Sequence, residues 1–411
     1  MPIKTIVHVE DVFYPTAGYQ INIIPKYMVK EGYDVYIVTS RVEGNYKTSN
    51  MKFFGNIDIE KEDERYSKET GVKIIRIPVK RVISNRIVFG SELFKAVKNL
   101  KPDILYVHGN DTLTAMRYIL QIGKLNFPIV FDSHMLEIAS KNKFKYIYRF
   151  IYRNIFTPKL KKFKVPVIRT QNDEYVEKCL GIPLTQAPWI SVGTDTMHFQ
   201  PNKSIRLKMR NELKINKDDF VIIYTGKINK SKGALLLAEA IQEKIKVLGN
   251  HKLIFIIVGN AVDEEGKKAE ELLKKSENKV MRIPTQNYLD LNKYYQLADL
   301  AIFPKQCSLS FYDAQSCGLP VLSEDNKINA DRLRFNNGFN FKSDDVIDLR
   351  KKIEMCVNLN KEYYEELKEN AILSIQDGYD YHDLTKRYLE ILKNEYSLFT
   401  SKYQFSPENR G

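Results

Sequence analysis

Short apolar runs alternate with helical patterns along the first part of the chain. Residues 4–9 are apolar and rich in branched side chains, residues 19–30 repeat apolar positions at helical spacing, and residues 33–39 alternate like a second strand. Because strands that alternate with helices form parallel sheets, this opening predicts a β-α-β unit. Residues 41–70 are polar and charged, which predicts a long loop before the next strand at residues 72–79.

The same alternation begins again after Pro201, which marks a predicted domain boundary. Apolar runs that predict strands alternate there with patterns that predict helices, at residues 221–225, 234–248, 253–258, 264–275, 292–298 and 300–303. A chain of 411 residues is too long for one compact core, so two α/β domains are expected.

Composition indicates a globular protein of a reducing compartment. The hydrophobic content is 43%, but no run approaches the roughly 20 apolar residues of a membrane span. The first ten residues read as a strand with acidic residues close behind, and not as a signal peptide. The four cysteines have no metal-ligand spacing, so we expect reduced thiols, no structural zinc and a cytoplasmic location.

Positive charge is concentrated in the first half of the chain. Residues 1–200 carry 30 Lys and Arg against 20 Asp and Glu, whereas residues 201–411 carry 34 against 31, for a total of +13. Such a field favours an anionic partner: a phospholipid surface, a phosphorylated acceptor or a nucleic acid. Nucleic acid is not expected, because no recognised reading module accompanies the charge.

Residues 141–164 combine nine basic residues with no acidic one. Aromatic and branched side chains at 144, 147, 148, 151, 152 and 155 share one predicted helical face. This pattern is typical of a helix at a membrane interface, on the inner face of the membrane, but a core-facing helix with a solvated basic edge explains it equally well. The candidate membrane-binding cations are Lys141, Lys145, Arg149, Arg153, Lys159, Lys161, Lys162 and Lys164.

Glycines and cations mark candidate phosphate-binding loops. In the loop at residues 226–233, Gly226 and Gly233 enclose Lys227 and Lys232 just before a predicted helix. Cations beside a helix N-terminus suit a diphosphate, although a solvated lysine loop gives the same pattern. Gly259 predicts another close-approach turn, and Ala17-Gly18 predicts a phosphate- or acceptor-binding turn or a tight turn alone.

Two histidines end predicted strands, where ligands bind in open parallel sheets. His108 and His134 are therefore placed at the expected crevice, where an imidazole can donate to a phosphate or act as an acid or base. An ordinary loop histidine remains the alternative for each.

Residues 301–325 read as a strand, a polar loop, a short helix that ends at Gly318, and another strand. Hydroxyls and one carboxylate at this helix start suit a sugar nucleotide, and a plain helix cap is the alternative. The candidate donor-binding side chains here are Gln306, Ser308, Ser310 and Asp313.

The second half resembles the donor domain of GT-B glycosyltransferases, specifically the retaining glycosyltransferase family four. Residues 226–233 resemble the family's Gly-Arg…Lys-Gly loop with Lys227 in place of arginine, and residues 313–321 resemble its Glu-Ala-Met-Ala-Cys-Gly-x-Pro-Val segment. Residues 193–201 and Asn337-Gly338 resemble two further family segments, and His134 falls where the family has a histidine near the reacting phosphate. One departure is Lys305, which stands eight positions before Asp313, near where the family usually has a glutamate.

The resemblance implies an α/β fold of two Rossmann-like domains that face each other across a cleft. Residues 1–200 would bind the acceptor, residues 201–380 would bind the donor, and a helix within residues 381–411 would return to the first domain. The implied reaction transfers a sugar from a nucleotide-diphosphate sugar to a saccharide or lipid-linked acceptor with retention, without a metal or other cofactor, in cell-surface polysaccharide synthesis.

The resemblance also implies roles for the catalytic candidates. Lys232 would stabilise the departing diphosphate, Asp313 would accept from the ribose hydroxyls, and His134 would donate to the donor's phosphate or sugar. Two other functions remain open: a GT-B sugar-nucleotide epimerase, which would act on the donor without an acceptor, and a non-catalytic binder of membrane or nucleic acid.

Overall fold

The computed structural model describes residues 3–41, 58–83, 86–136, 144–305 and 308–404. The first half contains a six-stranded sheet and a two-stranded hairpin, formed by β1 (Thr5–Glu10), β2 (Asp34–Ser40), β3 (Lys73–Ile77), β4 (Val79–Ile83), β5 (Arg86–Phe89), β6 (Ile104–Val107), β7 (Ile129–Ser133) and β8 (Val167–Arg169). Its helices are α1 (Gln20–Lys30), α2 (Ile59–Thr70), α3 (Glu92–Asn99), α4 (Leu113–Gln121), α5 (Lys145–Ile151), α6 (Thr157–Phe163) and α7 (Tyr175–Lys178).

The first sheet is parallel throughout and has the order β3-β2-β1-β6-β7-β8, while β4 and β5 pair antiparallel. Apolar clusters cover both faces of this sheet, as expected of parallel strands that bury both sides. The chain leaves β1 towards β2 on one side and later returns to β1 on the other through β6. The carboxyl ends of β1 and β6 therefore form a topological switch point, where open α/β sheets bind ligands.

The second half repeats this plan. Its strands are β9 (Phe220–Thr225), β10 (Leu253–Val258), β11 (Lys279–Ile283), β12 (Leu300–Phe303), β13 (Val321–Glu324) and β14 (Gly338–Phe341). They form a second parallel sheet in the order β11-β10-β9-β12-β13-β14. The helices are α8 (Lys203–Glu212), α9 (Ala234–Ala240), α10 (Glu264–Lys274), α11 (Leu291–Leu297), α12 (Ser310–Ser316), α13 (Lys327–Arg332), α14 (Val346–Val357), α15 (Lys361–Gln376) and α16 (Tyr381–Gln404).

These two sheets confirm the predicted α/β class with two Rossmann-like units across a cleft. The switch point of the second sheet lies between β9 and β12, and its carboxyl edge faces that of the first sheet across a shared cavity. The chain passes between the units twice. Thr194 on the outward crossing and Asp380 on the return crossing pair as a short parallel bridge.

The last helix lies against the first unit. Tyr381, Leu384 and Tyr388 of α16 are buried in an apolar cluster that also contains Ile24 and Tyr27 of α1. Because α16 starts immediately after the return crossing, it joins the hinge region to the first sheet.

The loop predicted over residues 41–70 is wrong for its second part, which forms α2. The Asp58 side chain caps this helix by accepting from Lys61 N at 3.2 Å, and Gly71 ends it in the left-handed conformation. Tyr66 is the buried residue of α2, so the helix has almost no apolar periodicity to reveal it. Residues 42–57 lie outside the described part of the chain.

The helix predicted over residues 234–248 ends early, at Ala240. Carbonyl groups that would accept backbone hydrogen bonds in a longer helix accept from distant side chains here. Asn278 donates to Ile241 O at 2.8 Å, and Arg350 donates to Ala240 O at 3.2 Å. These long-range bonds offset the helical hydrogen bonds that are lost.

The basic segment is helical but does not present the single face that was predicted. A π-helical turn at Tyr152–Phe156 separates α5 from α6 and changes the direction of successive side chains. Tyr152 is fully buried and Tyr148 is half-buried, whereas Ile147, Ile151 and Ile155 are exposed. Among the described residues, no helix is both long and apolar enough to cross a membrane.

Candidate active site

The cleft between the two sheets contains a cavity of about 340 Å³. Nine predicted site residues line it: Ala17, Gly18, Gly226, Lys227, Lys232, Gly259, Ser308, Ser310 and Asp313. The loops after β1, β9, β10 and β12 supply them, because these strands flank the two switch points or, for β10, lie next to β9. Gln306 lies outside the described residues.

The loop at residues 226–233 is shaped by glycines that allow backbone to approach backbone. Gly226 has φ +144° and Gly259 has φ +140°, and a Cβ on Gly259 would overlap the carbonyl of Gly226. Asn229 accepts from Lys232 N at 3.0 Å and fixes a single 3₁₀ turn before α9. This arrangement holds Lys227 and Lys232 at one wall of the cavity, and burial lowers the pKa of Lys227.

Asp313 lies in the first turn of α12, lines the same cavity and is almost completely buried. Its Oδ1 accepts from the hydroxyls of Thr194 at 2.7 Å and Tyr288 at 2.9 Å. Burial raises the pKa of Asp313 to about 7, although these two hydrogen bonds oppose the shift. The carboxyl thus joins the outward crossing of the hinge to the donor-side wall.

Tyr288 is a site residue that the sequence analysis missed. Its backbone N donates to Thr16 O at 3.1 Å, so it connects the second unit to the turn after β1. Its ring fills the space that a Cβ on Gly18 would need. Gly18 is therefore a close-approach glycine, and the group that approaches is a side chain of the other unit.

Lys305 does not substitute for the family glutamate in the cavity wall. It forms an ion pair with Asp344, and its aliphatic part packs over Gly233. The neighbouring loop is held by Arg332, which donates to Ser308 O at 2.9 Å and to Gln171 of the first unit at 3.2 Å.

His134 follows β7 at the carboxyl edge of the first sheet, and 45% of its side chain is exposed. Its Nε2 lies 3.1 Å from Asp132 Oδ1, and its Nδ1 lies 3.2 Å from the Thr170 hydroxyl. Partial burial alone would lower the pKa of His134, but Asp132 and then Glu10 and Asp111 outweigh it and raise the pKa to about 9.

His108 does not face the cleft as predicted. It is buried, and its Nδ1 donates to Asp132 Oδ2 at 2.8 Å. Because β6 and β7 are neighbours in the sheet, His108 after β6 reaches Asp132 of β7, and Asp132 lies between the two imidazoles.

Carboxyls at the end of β1 complete the first-unit side of the site. Burial raises the pKa of Glu10 to about 8 and the pKa of Asp11 to about 6. Asp11 Oδ1 accepts from the Thr114 hydroxyl at 2.6 Å. Sequence reasoning missed Glu10, Asp11 and Asp132, although each follows or ends an apolar strand as His108 and His134 do.

The second half of the chain matches a known family. Residues 205–374 match the model of the family described as glycosyl transferases group 1. A lipopolysaccharide 1,2-N-acetylglucosaminetransferase of Salmonella typhimurium is 28% identical over an alignment of 204 residues that covers 45% of this chain and 51% of that protein. The chain thus spans about half the length of this relative.

Solved structures share the whole fold at low sequence identity. A glycosyltransferase from Rickettsia africae superposes with a TM-score of 0.72 at 16% identity, over 96% of this chain and 98% of the other. HepE from Anabaena, whose structure contains UDP and glucose, superposes with a TM-score of 0.71 at 16% identity, over 95% and 100% of the two chains. These likenesses identify the fold as GT-B.

Proposed function

Because residues 205–374 match the model of the glycosyl transferases group 1, we propose that this chain transfers a sugar from a nucleotide-diphosphate sugar to an acceptor hydroxyl. The acceptor is a saccharide or a lipid-linked saccharide, and the anomeric configuration is retained, as the resemblance to family four implies. We assign acceptor binding to residues 1–200 and donor binding to residues 201–380, with residues 381–411 returning to the first unit.

One observation carries this proposal: Lys227, Lys232 and Asp313 line one cavity at the switch point. Two cations next to close-approach glycines suit a diphosphate, and a carboxyl in the same cavity suits ribose hydroxyls. Gly226, Gly259, Ser308 and Ser310 complete the donor-binding set, with Ala17 and Gly18 on the acceptor side.

The chemical role of the loop is electrostatic. When the bond between the anomeric carbon and the diphosphate breaks, negative charge grows on the leaving oxygen. Lys232 and the backbone N–H groups of the loop offset that charge in a site partly screened from water. Asp313 holds the ribose, so the leaving group stays in register with the cations.

Relatives suggest where to search for donor and acceptor. The Salmonella relative is named for N-acetylglucosamine transfer to lipopolysaccharide, and the HepE structure holds UDP and glucose. A UDP-hexose and a cell-surface glycan acceptor are therefore the first pair to test. A thermal-shift screen against UDP-, GDP-, ADP- and CMP-sugars identifies the donor, since a ligand at 100 times its Kd adds about 2.7 kcal/mol.

The screen also separates the alternatives. Transfer to an added acceptor supports the transferase. Epimerisation of the donor alone would instead indicate a sugar-nucleotide epimerase, and the absence of any donor-induced shift would contradict both enzymes.

Replacing Lys232 with alanine is expected to lower kcat/KM at least tenfold, because the diphosphate loses a charged hydrogen bond of about 1.5–3 kcal/mol. Steady-state kinetics with the identified donor measure the loss. Lys230→Ala is the matched control, since Lys230 belongs to the same loop, is exposed and pairs with Glu265. Equal kinetics for both variants would contradict the assignment of the diphosphate to this loop.

We further propose that α5 and the following π turn dock the first unit on an anionic membrane. Six large apolar side chains in this segment or immediately before it are exposed, and we call them the exposed apolar face: Phe144, Tyr146, Ile147, Phe150, Ile151 and Ile155. The cations around this face are Lys145, Arg149, Arg153, Lys159, Lys161, Lys162 and Lys164, and no acidic residue lies in the segment. Lys141 belongs to the same run but lies outside the described residues.

Charge complementarity selects a lipid surface as the occupant. Cations near an anionic leaflet contribute about 1 kcal/mol each, and apolar side chains can enter the headgroup boundary. The segment is also attached to the floor of the cleft, because the Asn110 side chain donates to the Tyr152 hydroxyl at 3.0 Å and Asn110 N donates to Asp132 O. Docking here would bring a lipid-linked acceptor to the His134 side of the cleft.

Vesicle sedimentation tests the docking proposal. We expect binding to vesicles that contain phosphatidylglycerol, and weaker binding at high salt, because exposed charges are screened within about 8–10 Å. Ile147→Ser combined with Phe150→Ser should lower binding several-fold, whereas Leu207→Ser, an exposed apolar residue of α8, should not. A wild-type dimer that the double variant converts to a monomer would contradict the proposal and assign the face to a second copy.

A further inference from the structure

The hydrogen bonds of His134 fix where its protons lie. The Thr170 hydroxyl donates to Ser133 O at 3.0 Å, and its oxygen lies 3.2 Å from His134 Nδ1. A hydroxyl has one proton, so with that proton on the Ser133 carbonyl the Thr170 oxygen accepts from Nδ1–H. On the other side, Nε2 faces a carboxylate oxygen of Asp132 at 3.1 Å and must also carry a proton.

Asp132 is itself held in its ionised form. Its Oδ2 accepts from His108 at 2.8 Å and from Tyr106 at 3.0 Å. Its Oδ1 accepts from Gly109 N at 2.6 Å in addition to His134. Burial alone would raise the pKa of Asp132, but the two histidines lower it well below its usual range. Four donors leave this carboxyl no place for a proton of its own.

A second buried histidine extends this arrangement away from the cleft. His8 Nδ1 lies 3.0 Å from His108 Nε2, and both rings are almost completely buried. Burial, followed by the charge of His108, lowers the pKa of His8 well below its usual value. A neutral His8 behind His108 orients that ring so that its Nδ1 points at Asp132.

We propose that Asp132 and Thr170 are positioning residues that hold His134 as a doubly protonated cation at the wall of the cleft, facing the departing diphosphate. This inference rests on the proposed transferase function and changes the expected role of His134. Both of its N–H groups are engaged within the protein, so His134 acts through its fixed positive charge and not by donating a proton to the donor.

The position of His134 relative to the cavity supports this role. Gln171 follows Thr170 and accepts from Arg332, which in turn holds Ser308 O in the cavity wall. Through Thr170, Gln171 and Arg332, His134 is therefore connected to the loop that would surround the donor sugar.

Several charged groups act on His134 from different elements. Asp132 lies on β7, Glu10 ends β1 and Asp111 follows β6, and all three favour the cation. Glu10 loses its proton near pH 8, which adds negative charge beside His134 as the pH rises. The cation should therefore persist through neutral pH in the wild-type protein and disappear as the pH passes about 9.

Titration of the His134 ring by NMR in the whole chain, with the signal assigned by its loss in His134→Gln, tests the proton arrangement directly. Asp132→Asn should lower the pKa of His134 by at least about one unit, because it removes the paired charge. Thr170→Val, which keeps the shape but removes the acceptor, should lower it less. A wild-type pKa at or below the ordinary histidine value of about 6.5 would overturn the inference, as would an unchanged pKa in Asp132→Asn.

Kinetics separate the charge role from a structural one. Relative to wild type, Asp132→Asn should lose kcat/KM at least about tenfold at pH 8.5 but recover to within about threefold at pH 6, where His134 is protonated again. Asp103→Asn is the matched control, since Asp103 accepts from Lys4 N and Thr5 N at the opposite edge of the same sheet. A deficit of equal size at every pH would make Asp132 merely structural and overturn the inference.

The inference about His134 and the proposed transferase function can be contradicted separately. If the wild-type chain transfers sugar and the Asp132→Asn deficit does not depend on pH, only the role of His134 falls. If no nucleotide sugar serves as donor for the wild type, the proposed transferase function is contradicted, and so is the role of His134 at the diphosphate. The NMR titration would still show whether His134 is doubly protonated.

Discussion

Replacing Gly18 with alanine is expected to lower kcat/KM about 100-fold, because displacement of reacting groups by about 1 Å costs this much in an organised site. A Cβ on Gly18 would overlap the Tyr288 ring near its attachment point, so the ring cannot simply swing its tip aside. Tyr288 holds Asp313 through its hydroxyl and Thr16 through its backbone. The new methyl group therefore forces the two units apart at the cavity.

A double-mutant cycle checks this explanation. Tyr288→Ala removes the ring, so adding Gly18→Ala to it should cost little more, and the two effects should be strongly non-additive. Gly123→Ala is the matched control, because its Cβ would meet only the end of the Phe163 ring, away from the cavity. Additive losses in the cycle would contradict the proposed overlap, and donor affinity from calorimetry would show whether binding or turnover is affected.

Replacing Asp299 with alanine is expected to destabilise the second unit by about 3–5 kcal/mol, because it leaves a buried cation without its partner. Asp299 Oδ2 accepts from Arg210 at 2.6 Å and from Val221 N at 2.7 Å, and its Oδ1 accepts from Arg206 at 2.5 Å. Arg210 is almost completely buried, so water cannot replace the carboxylate.

Urea unfolding followed by circular dichroism measures this loss as a lower midpoint for the second unit. Asp290→Ala is the control, since Asp290 pairs with Lys293 in an exposed i,i+3 contact that contributes about 0–1 kcal/mol. A change of less than about 1 kcal/mol in Asp299→Ala would mean that Arg210 finds other acceptors. Its bonds to Asn216 O and Leu297 O are the candidates for that compensation.

The sequence pattern predicted the two sheets because a strand that is buried on both faces appears in the sequence as a run of apolar residues. β10 is buried at all six positions and stands in the sequence as an uninterrupted apolar run. Helix α2 was not predicted because only Tyr66 is buried in it, and a mostly polar helix has no repeated apolar positions in its sequence. The signals that it does carry, Asp58 before it and Gly71 after it, are also typical of loops.

Local chemistry was likewise readable in the donor-side loop. The glycines and lysines of residues 226–233 act within one turn of chain, so their spacing along the sequence is nearly their spacing in space. The basic segment shows the limit of this reasoning, because the pattern placed four side chains on one face, whereas Tyr148 and Tyr152 are turned inward and Ile147 and Ile151 are exposed. The composition of this segment correctly indicated many cations and apolar side chains, but the spacing of the apolar residues did not predict which of them are buried.

By itself, then, the sequence determined the alternation of strands and helices, the glycine- and lysine-containing loop at residues 226–233 and the concentration of positive charge, all of which depend on residues close together in the chain. Tertiary structure decided which side chains meet across about a hundred residues or more: His8 with His108, Thr194 with Asp313, and Tyr288 with Gly18. The reason is physical. Strand order and the crossing of the hinge set those contacts, and neither leaves a periodic signal in the residues that make them.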